Sequence, residues 1–125
     1  MNTGSTVLYG IPNCDTVRKA RSWLGRHGIV YEFRDLRHPV PGQAMLEHWI
    51  DRLGLDAVLN RRGMTWRRLD AAEQAAVVDR ASAVVLMLTR PTVIRRPILE
   101  RGALLLAGFD EQEWTRQLAP SESGK

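Results

Sequence analysis

The first thirty-three residues constrain this chain more than any others, because they read strand, helix, strand. Thr6-Val7-Leu8-Tyr9 is a short β-branched and aromatic run, and Gly10-Ile11-Pro12-Asn13 ends it with turn residues. From Cys14 onward Val17, Ala20, Trp23 and Leu24 share one helical face, with Arg18, Lys19, Arg21 and Arg26 elsewhere, until Gly28 closes the helix. Ile29-Val30-Tyr31-Glu32-Phe33 then alternates as a second strand. Two strands joined through a helix cannot meet in a tight hairpin, so the crossover predicts a parallel pair. Cys14 falls at the N-terminus of that helix.

The remainder extends the pattern. Pro39 and Pro41 mark a loop, and Leu46, Trp49, Ile50 and Leu53 then recur at the spacing of an amphipathic helix. The stretch from Gly54 to Leu69 predicts short helical turns. Asp70 with Glu73 forms a capping box for a helix carrying Ala75, Val77 and Val78 inward, and Ser82 is placed as the cap of another. Ala83 to Leu88 fits either a strand or a buried helix by pattern, and its length and context favour helix. Pro97-Ile98-Leu99 and Ala103-Leu104-Leu105-Leu106, around Arg101-Gly102, read as a β-hairpin, and Asp110 with Glu113 starts a last helix ending near Leu118. The order β-α-β, helical insert, β-β-α predicts an α/β fold: a thioredoxin-like four-stranded mixed sheet with helices on both faces and an all-helical insert at about 41–90. One domain over 1–119 is expected, with a disordered tail at 120–125.

Size agrees with one domain, since 125 residues suffice for a single core. The opening residues carry no basic stretch leading into an apolar one, and no apolar run approaches a membrane span, which predicts a soluble, cytoplasmic protein without a membrane partner. The net charge of +4 favours anionic partners. No helix-turn-helix, zinc-finger or aromatic RNA-binding pattern accompanies it, so the expected anion is small rather than a nucleic acid.

Cys14 is the one cysteine. A thiolate is the nucleophilic form, and a helix N-terminus lowers the thiol pKa from about 8.5 through its dipole and free N–H groups. Arg18, one turn on, adds a positive neighbour and Asp15 opposes it, with a downward balance expected. A lone cysteine can instead be a small buried hydrophobe. The polar flanks Asn13 and Asp15 favour the reactive reading. Cys14-Asp15-Thr16-Val17 lacks a second cysteine, so a reaction cycle here needs an external thiol, and glutathione is the abundant one. Arg95-Arg96-Pro97 precedes the hairpin; a cis proline there would put Arg96 at the site, while a surface basic pair fits the residues equally well. The pairs Arg61-Arg62 and Arg67-Arg68 divide in the same way. Trp23, Trp49 and Trp66 have the spacings of packing residues, and His27, His38 and His48 show no metal-ligand spacing with Cys14, so neither a metal nor a bound cofactor is expected.

Together these segments resemble the arsenate reductase and Spx family, its YffB-type branch in particular. The resemblance rests on Leu8-Tyr9-Gly10-Ile11-Pro12-Asn13-Cys14-Asp15-Thr16, on Arg18 to Leu24, on Leu59-Asn60-Arg61-Arg62-Gly63-Met64-Thr65-Trp66-Arg67-Arg68-Leu69, on Ile94-Arg95-Arg96-Pro97-Ile98 and on Gly108-Phe109. It implies Cys14 as the catalytic nucleophile, Arg96 and Arg62 as anion-binding residues with Arg61 as alternate, Arg18 as the basic residue one turn after the cysteine, and Asn13 and cis Pro97 as structural residues of the site. The implied activity is a glutathione-coupled thiol reductase acting on a small oxyanion or disulfide. In its arsenate form, glutathione displaces an arsenic adduct on the cysteine and a glutaredoxin completes the reduction. Two departures stand out. Arsenate reductases carry a third arginine in the hairpin where this chain has Ala103-Leu104-Leu105, and Spx regulators carry a second cysteine where it has Val17. The alternative the resemblance offers is a non-catalytic Spx-like regulator that binds RNA polymerase or another protein.

Overall fold

A computed structural model describes residues 5–118. The elements run β1 (Thr6–Gly10), α1 (Asp15–Arg26), β2 (Glu32–Asp35), α2 (Gln43–Leu53), α3 (Leu55–Val58), α4 (Met64–Arg68), α5 (Ala71–Ala75), α6 (Arg80–Thr89), a 3-10 turn at Pro91–Val93, β3 (Ile98–Arg101), β4 (Leu104–Ala107) and α7 (Glu111–Leu118). They form a four-stranded sheet of order β2-β1-β3-β4, in which β1 is parallel to β2 and antiparallel to β3, and β3 is antiparallel to β4. This is the mixed, thioredoxin-like sheet the element order predicts. No helix among the described residues is long and apolar enough to cross a membrane.

Strand alternation divides the interior into two cores. Leu8, Leu99 and Leu106 stand opposite one another across three strands and pack under α1 and α7, against Ala20, Trp23, Leu24, Trp114 and Leu118. Tyr9, Ile98 and Leu105 face the other way and meet the helical segment through Leu46, Trp49, Val58 and Met87. A central strand covered on both faces needs an unbroken apolar run, which is why Val-Leu-Tyr shows no polar alternation. Full burial of each large side chain contributes about 1.5–3 kcal/mol, so the completely buried Trp23, Trp49 and Trp114 are major terms in both cores. Trp66 packs at the edge of the second.

Three local expectations shift. The second strand begins at Glu32, not Ile29, because α1 ends in a paired cap: Gly28, at φ 66°, donates to the Gly25 carbonyl, and the Ile29 N–H reaches back to Leu24. Ile29 is thereby committed to the helix end, Val30 is 91% exposed, and pairing starts only at Val7↔Glu32. Helix α5 is a single short turn that leaves Ala75 and Val78 exposed and only Val77 half-buried. Ser82 is not the cap of α6. Asp79 is, accepting from the Ser82 N–H at 2.9 Å, while the Ser82 hydroxyl receives the Asp79 N–H at 3.0 Å. The Asp70–Glu73 capping box forms as expected. The tail at 120–125 lies outside the described residues.

The helical segment is tied to the sheet next to the start of β3. Leu59 bridges Ile94, the Asn60 N–H donates to the Val93 carbonyl at 2.9 Å, and the Arg95 N–H donates to the Val58 carbonyl at 2.8 Å. These bonds bring the turn between α3 and α4 beside Arg95-Arg96-Pro97.

Candidate active site around Cys14

Gly10 sets the distance between β1 and α1. A Cβ at that position would lie 2.8 Å from Val17 Cγ2, so only glycine lets the helix settle this close to the strand end. Cys14 follows as the N-cap of α1, with extended backbone and a half-buried side chain. Serine or aspartate usually occupies such a position, accepting N–H groups from the second and third helical residues. The neutral thiol makes no formal capping bond here, yet Thr16 and Val17 present those N–H groups to it. Burial pushes the thiol pKa up. The Val17 N–H, the Arg96 guanidinium and the Thr16 N–H together outweigh it, and the thiol ionises below its ordinary value.

Arg96 reaches the thiol from the segment before β3, the strand that pairs with β1. It precedes a buried proline, and the Arg96–Pro97 peptide is cis. Its Nη1 donates to the Thr92 carbonyl at 2.5 Å, and its Nε is buried without a hydrogen-bond partner. The structure thus places Arg96 by the Cys14 thiol rather than in a surface pair.

The other arginines divide. Arg18 turns to Asp15, 3.0 Å from its carboxylate, and donates to the Pro12 carbonyl; the groups that move the Cys14 pKa do not include it. The expected positive neighbour one turn along is thus replaced by Arg96 from a distant segment. Arg61 pairs with Asp56 at 2.7 Å and lies 5.5 Å from the Trp66 ring centre. Arg62 is exposed and has no acidic partner among the described residues. Asn13 is exposed in the turn before the cysteine.

Two adjoining clefts take in Arg96, Arg61 and Arg62, whereas Cys14, Asn13 and Arg18 line neither. One, of about 570 Å³, is lined by Thr16, Asn60, Arg95, Arg96, Phe109 and Asp110 among others. The second, of about 450 Å³, is lined by Asp56, Leu59, Arg61, Arg62 and Arg95. Arg95 is the wall they share, held by bonds from its Nε to the Ala57 carbonyl and its Nη2 to that of Asp56. Sequence reasoning passed over Arg95, Asn60 and Thr16 as site residues. Their chemistry is ordinary for a surface, and only the folded chain gathers them. A cleft of about 550 Å³ lined by Thr6, Val30, Tyr31 and Arg101 sits at the opposite end of β1, remote from the thiol. Among the described residues no group of three His, Cys, Asp or Glu could hold a metal ion.

A lone cysteine capping the first helix of a β2-β1-β3-β4 sheet, opposite a cis proline, defines a thioredoxin-like protein with a single thiol at its site. Its kinship is specific. The ArsC family profile matches residues 9–117, and the chain belongs to the ArsC family. Among solved structures, it is similar to a protein called YffB, 43% identical with a TM-score of 0.86, covering 92% of this chain and all of the other. An arsenate reductase (ArsC) related protein from Brucella melitensis is 38% identical, with a TM-score of 0.72 and coverage of 93% and 96%. The global transcriptional regulator Spx of Listeria monocytogenes is 30% identical over 116 residues, 90% of this chain and 86% of that protein.

Proposed function

We propose that this chain is a glutathione-coupled thiol oxidoreductase of the cytoplasm, with Cys14 as its single nucleophile and a small disulfide or oxyanion as substrate. The observation that carries the reading is the placement of Cys14 at the N-cap of α1, where the Thr16 and Val17 N–H groups and the Arg96 guanidinium face its sulfur. In the disulfide form, the Cys14 thiolate attacks one sulfur of R–S–S–R′. A Cys14–S–S–R bond forms, and R′–S⁻ leaves and takes up a proton. A glutathione thiolate then attacks the R sulfur, giving a glutathione–R disulfide and releasing the Cys14 thiolate, and a second glutathione reduces that product. The electrons come from glutathione alone. The two carboxylates of glutathione suit Arg96 and Arg62, because guanidinium groups pair with carboxylates in bidentate fashion. Ala103-Leu104-Leu105, in place of a third arginine, favours a sulfur electrophile over arsenate.

Glutathione-dependent reduction of bis(2-hydroxyethyl) disulfide tests this directly, with mass spectrometry of the trapped protein alongside. The wild type is expected to turn over and to carry one adduct on Cys14, and Cys14→Ser to do neither. A wild type that neither turns over nor forms an adduct overturns the proposal. The regulatory reading has its own support in the Spx likeness along most of the chain. It predicts that Cys14→Ser leaves the biological role intact, which complementation of a deletion strain measures.

A further inference from the structure

The Arg96 guanidinium is held by a carbonyl, and that carbonyl is itself held from a distance. Arg96 Nη1 donates to the Thr92 carbonyl at 2.5 Å. Thr92 sits in the 3-10 turn Pro91–Val93, and its hydroxyl lies 2.7 Å from the Thr65 hydroxyl on α4. Both threonines are half-buried. The backbone ties at Leu59–Ile94 and Arg95–Val58 secure the start of the strand segment. The Thr65–Thr92 pair secures the turn that offers the carbonyl.

We propose that Thr65, acting through Thr92, is a positioning residue that holds the Arg96 guanidinium beside the Cys14 sulfur. Docking of α4 thereby sets how well the nucleophile is activated. The inference rests on the reading of Cys14 as a thiolate assisted by Arg96. The chain of contacts runs from the Thr65 Oγ1 to the Thr92 Oγ1, along one residue of backbone to the Thr92 carbonyl, and across to Arg96 Nη1. Arg96 has little else to fix it, since its Nε is buried and unpartnered. Removing the hydroxyl pair frees the turn to shift, and a guanidinium that follows it loses its hold on the thiolate.

The test is the pH dependence of Cys14 alkylation by iodoacetamide, measured on the whole protein for wild type, Thr65→Val, Thr65→Ser, Thr92→Val, the Thr65→Val/Thr92→Val pair and Arg96→Ala. Thr65→Val and Thr92→Val are expected to move the midpoint upward, in the same direction as Arg96→Ala. At pH 7 each should lower the rate about twofold to threefold. Thr65→Ser, which keeps the hydroxyl, is expected to stay at the wild-type midpoint. The double variant is expected to shift no further than either single one, because both remove the same bond. A midpoint that moves for Arg96→Ala but stays put for the valine variants overturns the inference and leaves the activated-thiol reading intact. A midpoint unmoved by Arg96→Ala overturns both. Shifts in Thr65→Val and Thr92→Val that add in the double variant also overturn it, since independent loosening would act that way.

Discussion

The Cys14 sulfur occupies the place where a helix ordinarily receives an oxygen, and most of its chemistry follows from that exchange. An N-cap oxygen stabilises the helix by about 1 kcal/mol, and a thiolate can accept the same N–H groups. Cys14→Ser should therefore fold with its melting temperature unchanged or raised while losing all alkylation, which calorimetry and mass labelling read together. Because the folded pKa is depressed, the thiolate persists below the pH at which an ordinary thiol is protonated, and reactivity falls only as pH drops through that lower midpoint. Arg96→Ala leaves the helix N–H groups but removes the one guanidinium acting on the thiol; its alkylation rate at pH 7 is expected to fall about threefold to tenfold, with the midpoint displaced upward. The position of Cys14 was legible from a strand, a turn and an amphipathic run. For Arg96 the residues left a surface pair equally open, and the family resemblance alone pointed it to the site. Arg18 is one turn from Cys14 by spacing, but its guanidinium goes to the Asp15 carboxylate at 3.0 Å and the Pro12 carbonyl.

At the scale of elements, the contact between β1 and α1 depends on a hydrogen atom at Gly10. Gly10→Ala drives a methyl group into Val17 and should destabilise the protein by about 1–3 kcal/mol. Val17→Ala is expected to recover much of that loss in the double variant, and urea denaturation of the four proteins measures the coupling. The α1 boundary and the hairpin were readable in advance because caps, glycines and periodicity act within a few residues. The start of β2 was not, since alternation across Ile29–Phe33 looks alike whether or not a partner strand extends far enough to pair with it. The Gly28–Ile29 cap and the register with β1 settled it. Ser82 misled for a related reason: in a reciprocal box either end can be taken for the cap, and here Asp79 is the residue with extended backbone.

Across the whole molecule, one carboxylate joins sheet and helices. Glu100 on β3 accepts from Trp49 Nε1 at 2.8 Å and from the Tyr9 hydroxyl at 3.1 Å, so α2 is pinned to the two central strands by polar contacts inside an apolar layer. Burial first, then the neighbouring Glu100 charge, pushes the Tyr9 phenol up to about 12, against an opposing effect of Arg34. The folded protein thus favours the neutral phenol. The stability this contributes is complete below the ordinary tyrosine value near 10. It is lost as pH rises through about 12. Tyr9→Phe should flatten the alkaline decline in stability across that window, and absorbance titration of tyrosinate in the wild type should show one group ionising late. A decline of equal steepness in Tyr9→Phe would assign it to other groups.

What the amino-acid sequence determined by itself was the order of elements, the parallel pair, the hairpin and a lone cysteine at a helix start. All of these arise from interactions between residues near one another in the chain. Tertiary structure decided which of the candidate cations lies against the thiol. Arginine side chains are long and take whichever carbonyl or carboxylate the fold brings near: Asp15 for Arg18, Asp56 for Arg61, the Ala57 carbonyl for Arg95 and the Thr92 carbonyl for Arg96. The Leu59–Ile94 bridge, joining residues thirty-five positions apart, brings Arg95 and Arg96 to the cleft that Thr16 also lines, and no local pattern announces a pairing of that span.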